Sequence, residues 1–78
     1  MNATTQAIID RLEKKPILQP GDISAAYGMS TPYAIIADIK LGKLAASSLG
    51  GKYYISREEA ARYIAANEVQ PTEGIIKK

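Results

Sequence analysis

The sequence predicts one mainly α domain carrying a small β-hairpin, with four helices in all. Three observations predict it. Apolar residues recur at helical spacing in four separate segments. A Gly50-Gly51 pair divides two apolar runs, where a tight hairpin turn needs positive φ. Ser56-Arg57-Glu58-Glu59 has the spacing of a capping box that opens a helix. The chain of 78 residues is short enough for a single domain with a thin core. That domain is expected to span residues 1–67. Residues 68–78 contain Pro71 and Gly74 and show no sustained period, so they read as a flexible tail. Ile75-Ile76 is the apolar pair there, able to dock weakly on a partner.

Thr4 to Lys15 reads as the first helix. Ile8 and Leu12 lie four apart, and Ala7 and Ile9 widen the stripe. Lys14 and Lys15 suit the negative end of the helix dipole, and Pro16 stops the helix. Ile17-Leu18 is a short apolar connector or one short strand. Pro20 to Tyr27 reads as the second helix, with Pro20 at the first position, where a missing N–H costs nothing. Asp22 lies in its first turn, and Ile23, Tyr27 and Ala26 face the core. Gly28 then ends it. Met29-Ser30-Thr31 is a turn in which either Ser30 or Thr31 caps the next helix; Thr31 would put Pro32 at the first helical position.

The third helix runs from about Pro32 to Leu41, with Ile35 and Ile39 as its core stripe, Ile36 or Ala34 at the edge, and Gly42 at its end. Leu44 to Leu49 and Lys52 to Ile55 form the hairpin strands. Tyr53 and Tyr54 alternate, so one is expected to face the core and the other solvent. Ser56 caps the fourth helix, and Glu59 is expected to reach back to it. That helix runs to about Ala66 with Ala60, Ala61, Ile64 and Ala65 on its apolar face, Tyr63 packing alongside, and Asn67 as terminator.

Composition excludes several classes of function. The chain has no cysteine, hence no disulfide or thiolate metal site, and no histidine, the usual general base and neutral metal ligand. Glu58 and Glu59 are adjacent, and Glu59 is accounted for by the capping box. No phosphate-cradling glycine pattern occurs. The expectation is a protein with no catalytic residues, no cofactor and no metal. Met1 to Thr5 is polar, with no apolar signal region after it and no run near the roughly 20 residues that cross a bilayer, which predicts a cytoplasmic protein without a membrane partner. The net charge is only +2, but its distribution is uneven. From Lys43 to Arg57 the chain carries Lys43, Lys52 and Arg57 and no acid, a local charge of +3.

Helix, glycine turn, helix, hairpin and capped helix, in that order, resemble the winged helix-turn-helix fold. The likeness is closest to the excisionase/MerR-type DNA-binding family. It is carried by Asp22-Ile23-Ser24-Ala25-Ala26-Tyr27-Gly28-Met29-Ser30, by Lys40-Leu41-Gly42-Lys43-Leu44, and by Gly50-Gly51-Lys52-Tyr53-Tyr54-Ile55-Ser56-Arg57-Glu58-Glu59, and it covers residues 18 to 66. The resemblance implies four helices plus a wing, and double-stranded DNA as the partner. Ser30, Thr31, Pro32, Tyr33, Ile36, Ala37 and Lys40 would then face the major groove. Lys43, Lys52 and Arg57 would contact phosphates, and Gly50 and Gly51 would let the wing approach the backbone. The implied role is a small repressor, or an architectural factor in recombination, of a bacterium, phage or mobile element. A domain reading so few base pairs needs a homodimer or a cooperative array for useful specificity.

Two features depart from the family pattern. Gly28 to Gly42 is one residue longer, and the third helix lacks the Arg, Asn or Gln that read bases. An alternative follows: the Tyr33/Ile36 face with Ala37 binds protein, as in a phage inhibitor, adaptor or assembly component. A DNA-packaging module would share the same fold.

Overall fold

A computed structural model of the protein describes residues 1–69. The elements follow in the order α1 (Ala3–Asp10), β1 (Ile17–Leu18), α2 (Pro20–Ala26), α3 (Tyr33–Lys40), β2 (Ser47–Leu49), β3 (Lys52–Ser56) and α4 (Arg57–Ala66). Four helices thus pack with a three-stranded antiparallel sheet of order β1-β3-β2, a small α/β domain. The expected hairpin is present: Leu49 pairs with Lys52 across a two-residue turn, with Gly50 at φ 62° and Gly51 at φ 80°. Positive φ at both central residues gives the hairpin turn whose twist matches its strands. Ile17-Leu18 becomes a third strand, pairing Ile17 with Ser56 and Leu18 with Ile55. β3 is therefore the central strand.

The first helix is shorter than its sequence suggests. Asn2 caps it, its side chain accepting the Thr5 amide at 2.8 Å, and it ends at Asp10 rather than Lys15. Lys14 and Lys15 lie beyond it and serve no helix dipole; Lys15 instead pairs with Asp22 at 3.5 Å. The reason is tertiary. The Pro16 carbonyl accepts the Arg57 amide at 2.9 Å, and the Glu13 carbonyl accepts Arg57 Nε at 3.1 Å. Backbone that could have extended the helix is used to tie the chain to the start of α4. Leu12 still reaches the core.

The start of α3 also differs. Pro32 is its N-cap residue, at φ −91° and ψ 13°, and Thr31 makes no capping hydrogen bond. The helix begins at Tyr33, so Pro32 is not its first helical residue. In α4, Ser56 caps as expected, its Oγ accepting the Glu59 amide at 3.0 Å. Glu59 does not complete the box: its carboxylate accepts the Ala45 amide at 3.0 Å and pairs with Arg62.

Leu12, Leu18, Ile23, Ile35, Leu44, Ile55 and Ile64 are the large fully buried side chains, joined by Ala26, Ala60 and Tyr63. α2, α3, α4 and the sheet contribute, and the half-buried Ile8 and Ile9 of α1 pack against the cluster, which is how a domain this small removes one contiguous apolar surface from water. Tyr63, expected to pack alongside the apolar face of the last helix, is buried in this core, whereas Tyr27, expected inside, is half-buried. Tyr53 and Tyr54 do not split between core and solvent; both are half-buried. Glu68, the first residue of the stretch read as a tail, accepts the Asn2 amide at 3.1 Å. Residues 70–78 of that stretch lie outside the described residues. Among the described residues, no helix is long and apolar enough to cross a membrane.

Candidate nucleic-acid interface

α2 and α3 form a pair joined by residues 27–32. α2 closes in a Schellman motif: the Met29 amide reaches the Ser24 carbonyl at 2.8 Å and the Gly28 amide the Ala25 carbonyl at 3.0 Å. This needs a left-handed residue after the helix, and Gly28 at φ 80° supplies it. α3 closes with the same pattern, Lys43 amide to Asp38 carbonyl at 2.9 Å and Gly42 amide to Ile39 carbonyl at 3.1 Å. Both ends redirect the chain sharply without orphaning the last carbonyls. The Ser30 and Thr31 side chains are left exposed in the turn.

The helical repeat divides α3 into two faces. Ile35 is buried and Ile39 half-buried toward the body. Tyr33, Ala37 and Lys40 project outward at positions one turn apart, followed by Leu41 just past the helix; Tyr33 is 74% exposed and Leu41 69%. Asp38, the acid of α3, turns inward. Tyr63 Oη donates to its carboxylate at 2.5 Å, across to α4. Burial, and then donation to Asp38, hold the Tyr63 phenol well above its ordinary range. The outward face of α3 consequently carries Lys40 as its charge and no acid.

Ile36 sits at the edge of that face. It lines a groove with Pro20, Gly21, Pro32, Gly51 and Lys52, so the hairpin turn lies beside the beginning of α3. Ile36 is in this way brought beside Gly51 and Lys52, while Tyr33, Ala37 and Lys40 are exposed along the helix and Ser30 and Thr31 in the turn. Among the described residues, the side chains of Lys40, Lys43 and Lys52 make no hydrogen bond or ion pair.

Lys43 and Arg57 stand apart from this grouping. Lys43 lies just past α3, its carbonyl held by Arg62 Nη2 at 3.0 Å, and it lines a cleft against α4. Arg57 is at the other end of β3 from the turn, roughly 17 Å along the strand at about 3.4 Å per residue. Its Nε is already committed to the Glu13 carbonyl.

Sequence reasoning missed the Glu59–Arg62 clamp, although spacing of three residues on a helix was a signal for it. Arg62 holds Glu59 through two hydrogen bonds, at 2.9 and 2.7 Å, while also gripping the Lys43 carbonyl. Glu59 in turn holds the Ala45 amide. The segment leading from α3 into β2 is thereby fixed to α4. Donation from Arg62, then from the Ala45 amide, lowers the Glu59 carboxyl from its ordinary 4.5 to about 2. A depressed folded-state pKa contributes stability that is present above the unfolded value and lost as pH falls through the folded one. Stability is expected to fall as the pH drops from 4.5 toward 2, and Glu59→Gln to flatten that part of the profile, as read from denaturant midpoints at each pH. An identical acid limb in the variant would show that the clamp carries no pH dependence.

Neither a protein-family model, nor a curated protein, nor a solved structure matches the chain significantly.

Proposed function

We propose that the chain is a winged helix-turn-helix domain that binds double-stranded DNA, with α3 in the major groove and the β2–β3 turn as the wing. Its role is that of a small repressor or an excisionase-like architectural factor of a phage or mobile element. The observation that carries this reading is that Lys52 and Gly51 of the hairpin turn lie beside Ile36 at the edge of the exposed α3 face, while Asp38 is turned into the body. The element order, with a short strand between the first two helices and a hairpin after α3, agrees with that fold. Lys40, Lys43 and Lys52, without side-chain partners among the described residues, are available to neutralise phosphates, which fixes register without reading sequence. Such a short helix reads few base pairs, so specificity comes from a dimer or a cooperative array.

The test is fluorescence anisotropy of a labelled random-sequence duplex titrated at several salt concentrations. Binding at low salt that weakens steeply as salt rises is expected, because displaced counterions return to the DNA. Absence of binding at low salt, by protein whose circular dichroism shows it folded, would transfer the assignment to the alternative reading. In that case Tyr33, Leu41 and Ile36 form an apolar surface for a protein partner, a reading favoured by the exposure of the first two.

A further inference from the structure

We propose that the α3 face reads the 5-methyl groups of thymine, and that the preferred duplex is an A·T run presenting adjacent thymines. The inference rests on the DNA-binding reading above and deepens it. In the major groove, guanine and adenine are told apart by side chains that make paired hydrogen bonds, chiefly Arg, Lys, Asn and Gln. From Tyr33 through Ile39, α3 has none of them. Its one acid, able to accept from cytosine, is occupied by Tyr63. Ser30 and Thr31 offer hydroxyls at the turn, and these discriminate poorly because they serve any base as donor or acceptor.

What the helix does present is apolar. Tyr33 and Ala37 are exposed one turn apart, and Ile36 lies half-buried at the edge. Thymine is the base with a matching apolar feature in that groove, its methyl group. Side chains one turn apart have Cβ atoms about 5–6 Å from each other. Base pairs follow at about 3.4 Å, so this pair of side chains spans two neighbouring steps. Cations flank the apolar patch, Lys52 beside Ile36 and Lys40 one turn beyond Ala37. An apolar centre with cationic edges complements methyl groups lying between two phosphate strands.

The experiment compares two A·T duplexes of identical sequence, one carrying thymine and the other deoxyuridine throughout. Deoxyuridine removes the methyl and leaves the minor-groove acceptors and the phosphates as they were. Anisotropy titrations of the wild-type protein are expected to give about fourfold tighter binding per contacted methyl. That is the equivalent of about 0.8 kcal/mol for a methyl-sized group leaving water. A G·C duplex is expected to gain affinity when its cytosines carry a 5-methyl group. In the Tyr33→Ser/Ala37→Ser double variant, both changes being at exposed positions, the thymine-to-deoxyuridine ratio should fall to near one while the salt dependence stays.

Equal affinity for the two duplexes with a normal salt dependence would overturn the methyl reading and leave DNA binding standing. A ratio that persists in the double variant would overturn the assignment to this face. No binding to any duplex would overturn both.

Discussion

Replacing Ile55 with alanine is expected to cost about 2–5 kcal/mol of folding stability, the range for truncating a large aliphatic side chain in a closed core. Ile55 is fully buried on the central strand, opposite the equally buried Leu18. It belongs to one cluster with side chains from α2, α3, α4 and β1, so the cavity left behind has walls on several elements that cannot all move inward together. A natural domain has about 0.05–0.15 kcal/mol of stability per residue, which makes such a loss a large fraction of the total here. Urea unfolding followed by circular dichroism measures it. A loss below about 1 kcal/mol would mean that the sheet and helices do not close over this side chain.

The largest functional effect is expected from changing Lys40, Lys43 and Lys52 to alanine together. All three are exposed and lack side-chain partners among the described residues, so the fold should survive, apart from a few tenths of a kcal/mol at the end of α3 where Lys40 faces the helix dipole. Each phosphate neutralised adds about 0.9 to the slope of log affinity against log salt. Three such contacts weaken binding about 40-fold between roughly 50 and 200 mM salt. The triple variant should lose that part of the slope, together with most of its affinity at low salt. Single variants should apportion the loss. Lys43, which lines a cleft against α4, is the informative one: a slope unchanged by Lys43→Ala alone would confine the contact surface to the side of α3 and the hairpin turn. An unchanged slope in the triple variant would remove the lysine assignment altogether.

Much of the candidate surface is legible in the amino-acid sequence. The α2–α3 pair is punctuated by Gly28 and Gly42, and the β2–β3 hairpin by Gly50-Gly51. Ser56 marks the start of α4. These signals are readable because a turn or a cap is decided by groups within four or five residues of each other. The apolar spacing likewise identifies Ile23, Ile35 and Ile64 as core, since burial on a helix follows its repeat. Other residues mislead where several partners satisfy the same local rule. Glu59 has the spacing to bond Ser56 and instead takes Arg62 and the Ala45 amide. Thr31 has the chemistry of a cap, and the helix begins without it.

By itself, then, the sequence determined where α2 and α3 end, where α4 begins, where the hairpin turns, and that positive charge gathers between Lys43 and Arg57. Only the tertiary structure decided that Ile17-Leu18 joins β3, that α1 stops at Asp10, that Asp38 leaves the outward face for Tyr63, and that Lys52 comes to lie beside Ile36 while Arg57 does not. The physical reason is common to all four. A backbone amide, a carbonyl or a carboxylate can pair with many partners of similar intrinsic strength, and which of them it meets, like which side chain Lys52 lies beside, is set by the packing of segments far apart in the chain.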